Sequence, residues 1–229
     1  MSVAKTSWFT RSTLLLGFAF LYLPMLILII YSFNENRLVT VWSGFSLKWY
    51  GELFRDKQMI DAAKVSLEIA FMTACASVVL GTMAAMVMTR FRQFPGKSLF
   101  SALMTAPLVM PEVITGLSLV LLFVALEQAI GWPAGRGTLT IVIAHATFAM
   151  AYVTVVVQSR LIGMDPSIEE AAMDLGARPA KAFLVVTLLI IAPALVSGWL
   201  LAFTLSLDDL VGSSFVSGPG ASTLPMVIY

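Results

Sequence analysis

Charged residues and cysteine are both scarce in this chain. Only 12% of its 229 residues are charged, and 14 Lys and Arg side chains nearly balance 13 Asp and Glu side chains. This balance gives no basic surface that would attract a nucleic acid. The single cysteine, Cys75, excludes an internal disulfide, and it stands in an apolar stretch without neighbouring metal-ligand residues. We therefore expect Cys75 to be buried by packing.

Apolar residues form most of the chain. They account for 59% of the chain, and the mean hydropathy is +0.92. These values exclude an ordinary soluble domain and indicate a membrane protein, whose apolar surface faces lipid as well as other helices. The sequence predicts an all-α, polytopic transmembrane bundle that forms one domain over residues 1–229. Five long apolar runs predict its spans, at 12–33, 65–89, 99–126, 138–159 and 182–207.

Several breaks divide these spans. Pro107 and Pro111 stand inside the third run, shortly before its middle, so we expect that helix to be bent or locally unwound. The polar connection 34–64 contains a short amphipathic helix suited to the membrane interface. Segment 212–225 is rich in Gly, Ser and Pro and predicts a loop. An apolar run begins at 224–229, and we expect a sixth span beyond the end of the chain.

The distribution of Lys and Arg predicts the orientation. The short connections on one side hold most of these residues, and those on the other side hold Arg136 alone. Because basic residues concentrate in cytoplasmic loops, we expect the N-terminus to be cytoplasmic. The connection 34–64, which is balanced by acids, then lies outside. The predicted cytoplasmic residues are Lys5, Arg11, Arg90, Arg92, Lys97, Arg160, Arg178 and Lys181.

A charged stretch at 165–176 lies between the last two spans. Asp165 is a suitable N-cap, Pro166 suits the first helical position, and Gly176 is a natural stop. The enclosed helix carries acidic side chains, Glu169 and Glu170 among them, beside an apolar face. That face suits docking of a soluble partner, and the alternative is a loop that only joins two spans. Its members follow helical spacing: Ile168, Ala171, Ala172 and Leu175.

Three acidic residues stand at or near membrane depth. Asp208 and Asp209 end the fifth run, and Glu112 lies in the broken third run. A carboxylate at mid-membrane costs about 2.5–3.5 kcal/mol on insertion scales, so each is a candidate for a water-filled substrate route. Such a route suits a multivalent organic cation. The alternative is that Asp208 ends the helix and Asp209 is solvated. His145, in the fourth run, is expected to be packed or hydrogen-bonded.

Sequence motifs for catalysis and nucleotide binding are missing. There is no Gly-x-x-x-x-Gly-Lys-Ser/Thr, no His/Cys cluster and no Gly-x-Ser-x-Gly in the chain. We therefore expect no enzyme activity and no cofactor in this chain. If ATP drives the protein, a separate ATPase subunit must bind it.

The charged stretch resembles a known signature. Glu170-Ala171-Ala172, followed by Gly176, is similar to the EAA loop of ABC importer permeases, in which this loop is the coupling helix that docks on the ATPase. The residues expected to take part in this docking are Ile168, Glu169, Glu170, Ala171, Ala172, Leu175 and Gly176. Other segments resemble the permeases of spermidine/putrescine importers, and most of all the second permease of putrescine systems. These segments are Leu-Pro-Met at 23–25, Gly-Phe-Ser-Leu-Lys-Trp-Tyr at 44–50, Ala-Pro-Leu-Val-Met-Pro-Glu-Val-Ile-Thr-Gly at 106–116 and Ser-Leu-Asp-Asp at 206–209.

The resemblance implies a fold and an assembly. The fold would be that of type I ABC importer permeases in the bacterial inner membrane. The partners would be a second permease, two cytoplasmic ATPase subunits and a periplasmic polyamine-binding protein. Two other transport functions stay open, a permease for another small solute and a secondary transporter working alone. An intramembrane enzyme is a weaker alternative because no nucleophile or metal cluster is visible.

Overall fold

A computed structural model describes residues 8–38, 41–91 and 93–229. Lys5 and Arg92, two of the basic residues used to predict the orientation, lie outside the described residues. Those described form helices and no β-strand, which confirms the all-α prediction. The helices are α1 (Trp8–Tyr31), α2 (Lys48–Leu53), α3 (Lys57–Arg90), α4 (Lys97–Val109), α5 (Glu112–Ile130), α6 (Thr138–Ile162), α7 (Ser167–Asp174), α8 (Pro179–Ala182), α9 (Leu188–Leu207), α10 (Val211–Val216) and α11 (Leu224–Ile228).

Five helical segments of the described chain are long and apolar enough to cross a membrane. They are Trp8–Tyr31, Lys57–Arg90, Glu112–Ile130, Thr138–Ile162 and Pro179–Leu207. A helix crosses the apolar layer with about 20 residues, so these lengths suffice. The predicted number of spans in this chain is thus confirmed. The chain forms two compact units, residues 1–60 and 61–229.

The first unit is organised around Asn34. Its side chain is almost fully buried; Nδ2 donates to the carbonyl of Val41 at 2.6 Å, and Oδ1 accepts from the amide of Ser43 at 2.9 Å. The indole of Trp49 donates to the backbone carbonyl of Asn34. These bonds pair the buried amide group of Asn34 and hold the described parts of the connection between α1 and α2 around it. The short helix α2 contains Trp49 and Tyr50, aromatic residues that suit a position at the membrane interface.

The core of the second unit lies between α3, α6 and α9. Small residues let these helices approach closely, as is common in membrane bundles. A Cβ atom added at Gly81 of α3 would lie 2.8 Å from Cβ of Val153 on α6. One added at Gly198 of α9 would lie 3.2 Å from Cγ1 of the same valine. Val153 is fully buried between them, so the two glycines fix the distance between the three helices.

Three predicted boundaries need correction. The third run is two helices, because Met110 is extended (ψ 136°) in front of Pro111 and ends α4; α5 alone has the length of a span. Helix α3 begins at Lys57, eight residues before the predicted span. Its start is stabilised because the carboxylate of Asp56 accepts a hydrogen bond from the amide of Met59, and the charged residues in the first turns of α3 stay exposed. Segment 212–225 is no simple loop, since it contains most of α10.

Cys75 also differs from the prediction. Its side chain is exposed on the outer surface of α3 and accepts a hydrogen bond from the indole of Trp199 at 3.4 Å. The expectation of burial is wrong because an apolar run in a membrane helix has a face for lipid or a partner helix as well as one for its own core. Hydropathy alone does not distinguish these two faces.

Candidate functional site: an acidic pocket and a coupling helix

A small pocket lies where α5, α6 and α10 meet. Its volume is about 30 Å³. Glu112, His145 and Asp209 line it, and we call it the acidic pocket. Gly116 of α5 lets α10 approach, because a Cβ atom there would lie 2.9 Å from the ring of Phe215. The structure therefore brings two of the three predicted route acids, Glu112 and Asp209, to one place.

Asp209 is held firmly in this pocket. Its Oδ1 accepts from the amide of Gly212 at 3.1 Å, and its Oδ2 accepts from the amide of Ser213 at 2.8 Å. Asp209 thereby caps the first turn of α10, which is why a glycine- and serine-rich segment becomes helical. The other end of α10 is satisfied too, because Thr140 and Arg136 donate to the carbonyls of its last residues.

His145 connects Asp209 to the core. The imidazole is 3% exposed, and its Nε2 lies 2.8 Å from Oδ2 of Asp209. Its Nδ1 lies 2.7 Å from the hydroxyl of Ser206. In a neutral ring that donates from Nε2 to Asp209, Nδ1 accepts the hydroxyl proton of Ser206. His145 is thus packed and hydrogen-bonded, and it lies about 10 Å along α6 from the start of that helix.

Asp208 and Glu112 have different surroundings from Asp209. Asp208 ends α9 and its side chain is exposed, whereas the side chain of Asp209 is largely buried. Glu112 starts α5 and is exposed at the pocket's edge. The alternative interpretation of the sequence was that Asp208 ends the helix and that Asp209 is solvated. This interpretation is correct for Asp208, but Asp209 accepts hydrogen bonds from protein groups.

The predicted coupling helix is α7. It begins at Ser167, one residue later than expected, and Oδ1 of Asp165 accepts the amide of Ser167 at 3.0 Å. At the other end Gly176 adopts a left-handed conformation (φ +88°), and the amide of Ala177 donates back to the carbonyl of Ala172 at 3.1 Å. This pattern is a Schellman motif, which explains why a glycine stops the helix there.

The outer side of α7 is apolar and open. Leu175 is 90% exposed and Ile168 is 44% exposed. Ala171 and Glu170 are exposed as well, whereas Ala172 is partly buried. Four of the predicted docking side chains are therefore accessible, and we call them together the docking face: Ile168, Glu170, Ala171 and Leu175.

Glu169 is the exception among the predicted docking residues. It is only 8% exposed, and its Oε1 accepts hydrogen bonds from Arg90 and Thr187. Burial by itself raises the pKa of this carboxyl, but the bonds from Arg90 and Thr187 and the charge of Arg90 outweigh it, so the pKa lies below the ordinary value. The bonds to ionised Glu169 therefore stabilise the folded protein fully at neutral pH, and this stabilisation is lost as the pH falls through the lowered pKa.

The structure gives no candidate metal site among the described residues. Within 8–38, 41–91 and 93–229, no group of three or more His, Cys, Asp or Glu side chains lies close enough together to hold a metal ion. The acidic pocket contributes one imidazole and two carboxylates at its lining, and these are not arranged as such a group.

Comparison with known proteins agrees with this architecture. Residues 77–229 match the family described as "Binding-protein-dependent transport system inner membrane component". The chain is 65% identical over all 229 residues to the putrescine transport system permease protein PotI of Escherichia coli K12, and covers 81% of it. It is 40% identical over 213 residues, 93% of this chain and 80% of the relative, to the spermidine/putrescine transport system permease protein PotC of Haemophilus influenzae.

A more distant relative is named for a different substrate. The sulfate transport system permease protein CysT of Escherichia coli K12 is 34% identical over 212 residues, which is 90% of this chain and 75% of the relative. The family match covers well over half of the chain, and the helical fold with five possible spans is that of a multi-pass membrane protein. This chain belongs to the family of inner-membrane permease components of binding-protein-dependent transport systems.

Proposed function

We propose that this chain is a permease subunit of an ATP-driven importer that moves polyamines such as putrescine and spermidine across the bacterial cytoplasmic membrane. The observation that carries the proposal is the 65% identity, over the entire chain, to a putrescine transport permease. The chain itself carries out transport and no covalent chemistry. It binds no cofactor, and ATP is bound and hydrolysed by a separate subunit.

The substrate route passes the three acidic residues. A polyamine carries several ammonium groups, each of which loses water on entering a narrow passage and needs an anionic partner in exchange. Glu112 and Asp209 line the acidic pocket, and Asp208 lies exposed at the end of α9. The pocket holds only about 30 Å³, so a polyamine passes only when α5 and α10 separate. Alternating access supplies this opening.

The docking face provides the link to ATP. An exposed leucine and isoleucine on a short surface helix are costly in water and gain free energy when a partner covers them. We assign the ATPase subunit to this face, with Ala171 allowing close approach and Ala172 supporting the helix. Two ATPase subunits would dock on this permease and on a second permease. A periplasmic polyamine-binding protein would deliver the substrate from outside.

A permease for another small solute is the second candidate. The 34% identity to a sulfate transport permease shows that related chains can carry an anion. The three acidic residues argue against an anionic substrate here, because their charges would repel sulfate on the route.

Uptake by the reconstituted complex tests the proposal. Proteoliposomes containing both permeases and the ATPase are expected to take up radiolabelled putrescine only when ATP and the binding protein are both supplied. Excess spermidine should compete, and sulfate should not. Uptake without the ATPase would indicate a secondary transporter, and uptake of sulfate but not putrescine would indicate another solute; either result would overturn the polyamine proposal.

The proposed orientation places the N-terminus and α7 in the cytoplasm. Single-cysteine variants in a Cys75→Ser background test it, with Ala180→Cys near α7 and Ala134→Cys in the connection between α5 and α6. Both positions are exposed. In intact spheroplasts a membrane-impermeant maleimide is expected to label Ala134→Cys and to label Ala180→Cys only after lysis. The reverse pattern would refute the orientation.

A further inference from the structure

The coupling helix has one charged residue that does not face outward. Glu169 is 8% exposed, although Glu170, its immediate neighbour, is exposed. A buried carboxylate without partners would be strongly destabilising, so its surroundings must compensate for the lost hydration. Those surroundings come from two transmembrane segments, as the hydrogen bonds show.

The first partner is Arg90. It is the last residue of α3, and its Nη2 donates to Oε1 of Glu169 in a bond between residues that are 79 positions apart. The arginine side chain is 39% exposed and the glutamate side chain 11% exposed, so this ion pair is screened by water less than a surface pair. Two other ion pairs of the described chain, Lys48–Glu52 and Asp61–Lys64, are mostly exposed, with side-chain exposures of 54% or more.

The second partner is Thr187. It is fully buried, and its hydroxyl donates to the same oxygen, Oε1 of Glu169. Thr187 closes a π-helical turn, Phe183–Thr187, in which the amide of Leu188 bonds to the carbonyl of Phe183 five residues back. Such a turn contains one extra residue and rotates the side chains that follow it relative to those before it. Wide turns of this kind often occur at functional positions.

We propose that Glu169 is a positioning residue that clamps the coupling helix to the cytoplasmic ends of α3 and α9, so that a movement of the docked ATPase is passed to both transmembrane helices at once. This inference rests on the proposed docking of the ATPase on α7. The division of roles follows from the two neighbouring acids. Glu170 and the rest of the docking face hold the ATPase, and Glu169 holds the permease.

The division predicts two separable defects. A change on the docking face weakens binding of the ATPase. A change at Glu169 leaves the docking face in place but lets α7 move without α3 and α9. ATP is then hydrolysed with less transport. A residue that only stabilised the fold would lower the amount of assembled complex without changing the transport obtained from each ATP.

The test uses the complete complex in proteoliposomes, with Glu169→Gln as the main variant. Glutamine keeps the size and one acceptor oxygen but removes the charge. We expect the ATPase to co-purify at wild-type stoichiometry, while putrescine uptake per ATP hydrolysed falls about tenfold, within the usual range for coupling between two sites. With the ATPase bound, hydrogen exchange of the backbone amides at 165–176 should be faster in this variant than in the wild type.

A charge exchange gives the decisive control. Arg90→Glu alone places two carboxylates together and should uncouple as Glu169→Gln does. The double variant Arg90→Glu/Glu169→Arg restores the pair, and the hydroxyl of Thr187 can accept a bond from the new arginine. We expect it to recover most of the lost coupling. Asp61→Asn, which breaks an exposed ion pair on the same helix, should leave coupling within about twofold of wild type.

Three results would overturn the inference. One is wild-type uptake per ATP in Glu169→Gln. Another is loss of the ATPase from that variant, which would make Glu169 a docking residue. The third is a double variant whose coupling is no better than that of the single variants. If Glu169→Gln does not assemble into the complex, assembly of the double variant supports the clamp, and failure of the double variant to assemble refutes it. A wild-type complex that never binds an ATPase would refute the proposed function itself.

Discussion

Replacing Leu175 with aspartate is expected to release the ATPase from this permease. Leu175 is 90% exposed on the docking face, although leucine gains about 1.5–3 kcal/mol when fully buried. Since 1.4 kcal/mol is a tenfold change in affinity, losing this contact alone would weaken binding about tenfold to a hundredfold. The aspartate would add the cost of desolvating a charge in the interface. ATP-dependent putrescine uptake should fall below detection.

Co-purification of the ATPase with tagged permease measures this effect. Leu175→Met is the matched control, because methionine keeps the apolar volume and should keep the ATPase bound. Amounts of permease in the membrane should be equal in both variants, since the side chain contacts water rather than the core. A full complement of ATPase bound to the Leu175→Asp variant would show that this side of α7 is not the docking surface.

Replacing Asp209 with asparagine is expected to remove most putrescine uptake. Both carboxylate oxygens accept hydrogen bonds, from the amides of Gly212 and Ser213 and from the imidazole of His145. Asparagine has one acceptor oxygen, so its NH2 group would point at one of these donors and leave that donor without an acceptor. A buried donor left without a partner costs about 1–3 kcal/mol. The variant also removes a charge from the pocket, so uptake should fall about tenfold or more.

Asp208→Asn separates charge on the route from structure at the pocket. Asp208 is exposed, so its replacement should leave the melting temperature of the purified complex unchanged and raise the KM for putrescine a few-fold at most. Asp209→Asn should lower both uptake and the melting temperature, because one acceptor oxygen is lost and a donor at the start of α10 or on His145 is left without a partner. Wild-type uptake in the double variant Asp208→Asn/Asp209→Asn would refute the carboxylate route.

Apolar length alone was enough to predict the number of spans. A run of about 20 apolar residues is stable in lipid only as a helix, and this rule needs no tertiary information. The same local logic predicted the stop of α7, because Gly176 needs a positive φ to form the Schellman motif. It also predicted a break in the third run, because the residue before a proline disfavours the helical conformation.

Contacts between distant residues decided the rest. Glu169 and Glu170 are equivalent in a helix pattern, and only Arg90, 79 residues away, and Thr187 make one of them internal. Helix α10 was predicted as loop because its composition favours turns, and it forms because Asp209 caps it. Cys75 lies on the outer side of its helix, and hydropathy cannot indicate that side when both lipid and protein are apolar.

Hydrophobic length, glycine and proline act over a few residues, and they are enough to predict a helical membrane protein with a capped helix between its last two spans. The tertiary structure decided which acids are available. It turns Glu169 toward Arg90, ties Asp209 to His145 and leaves Asp208, Glu112 and Glu170 exposed. Burial of a charge depends on partners from other helices, and a single apolar run carries no information about its neighbours.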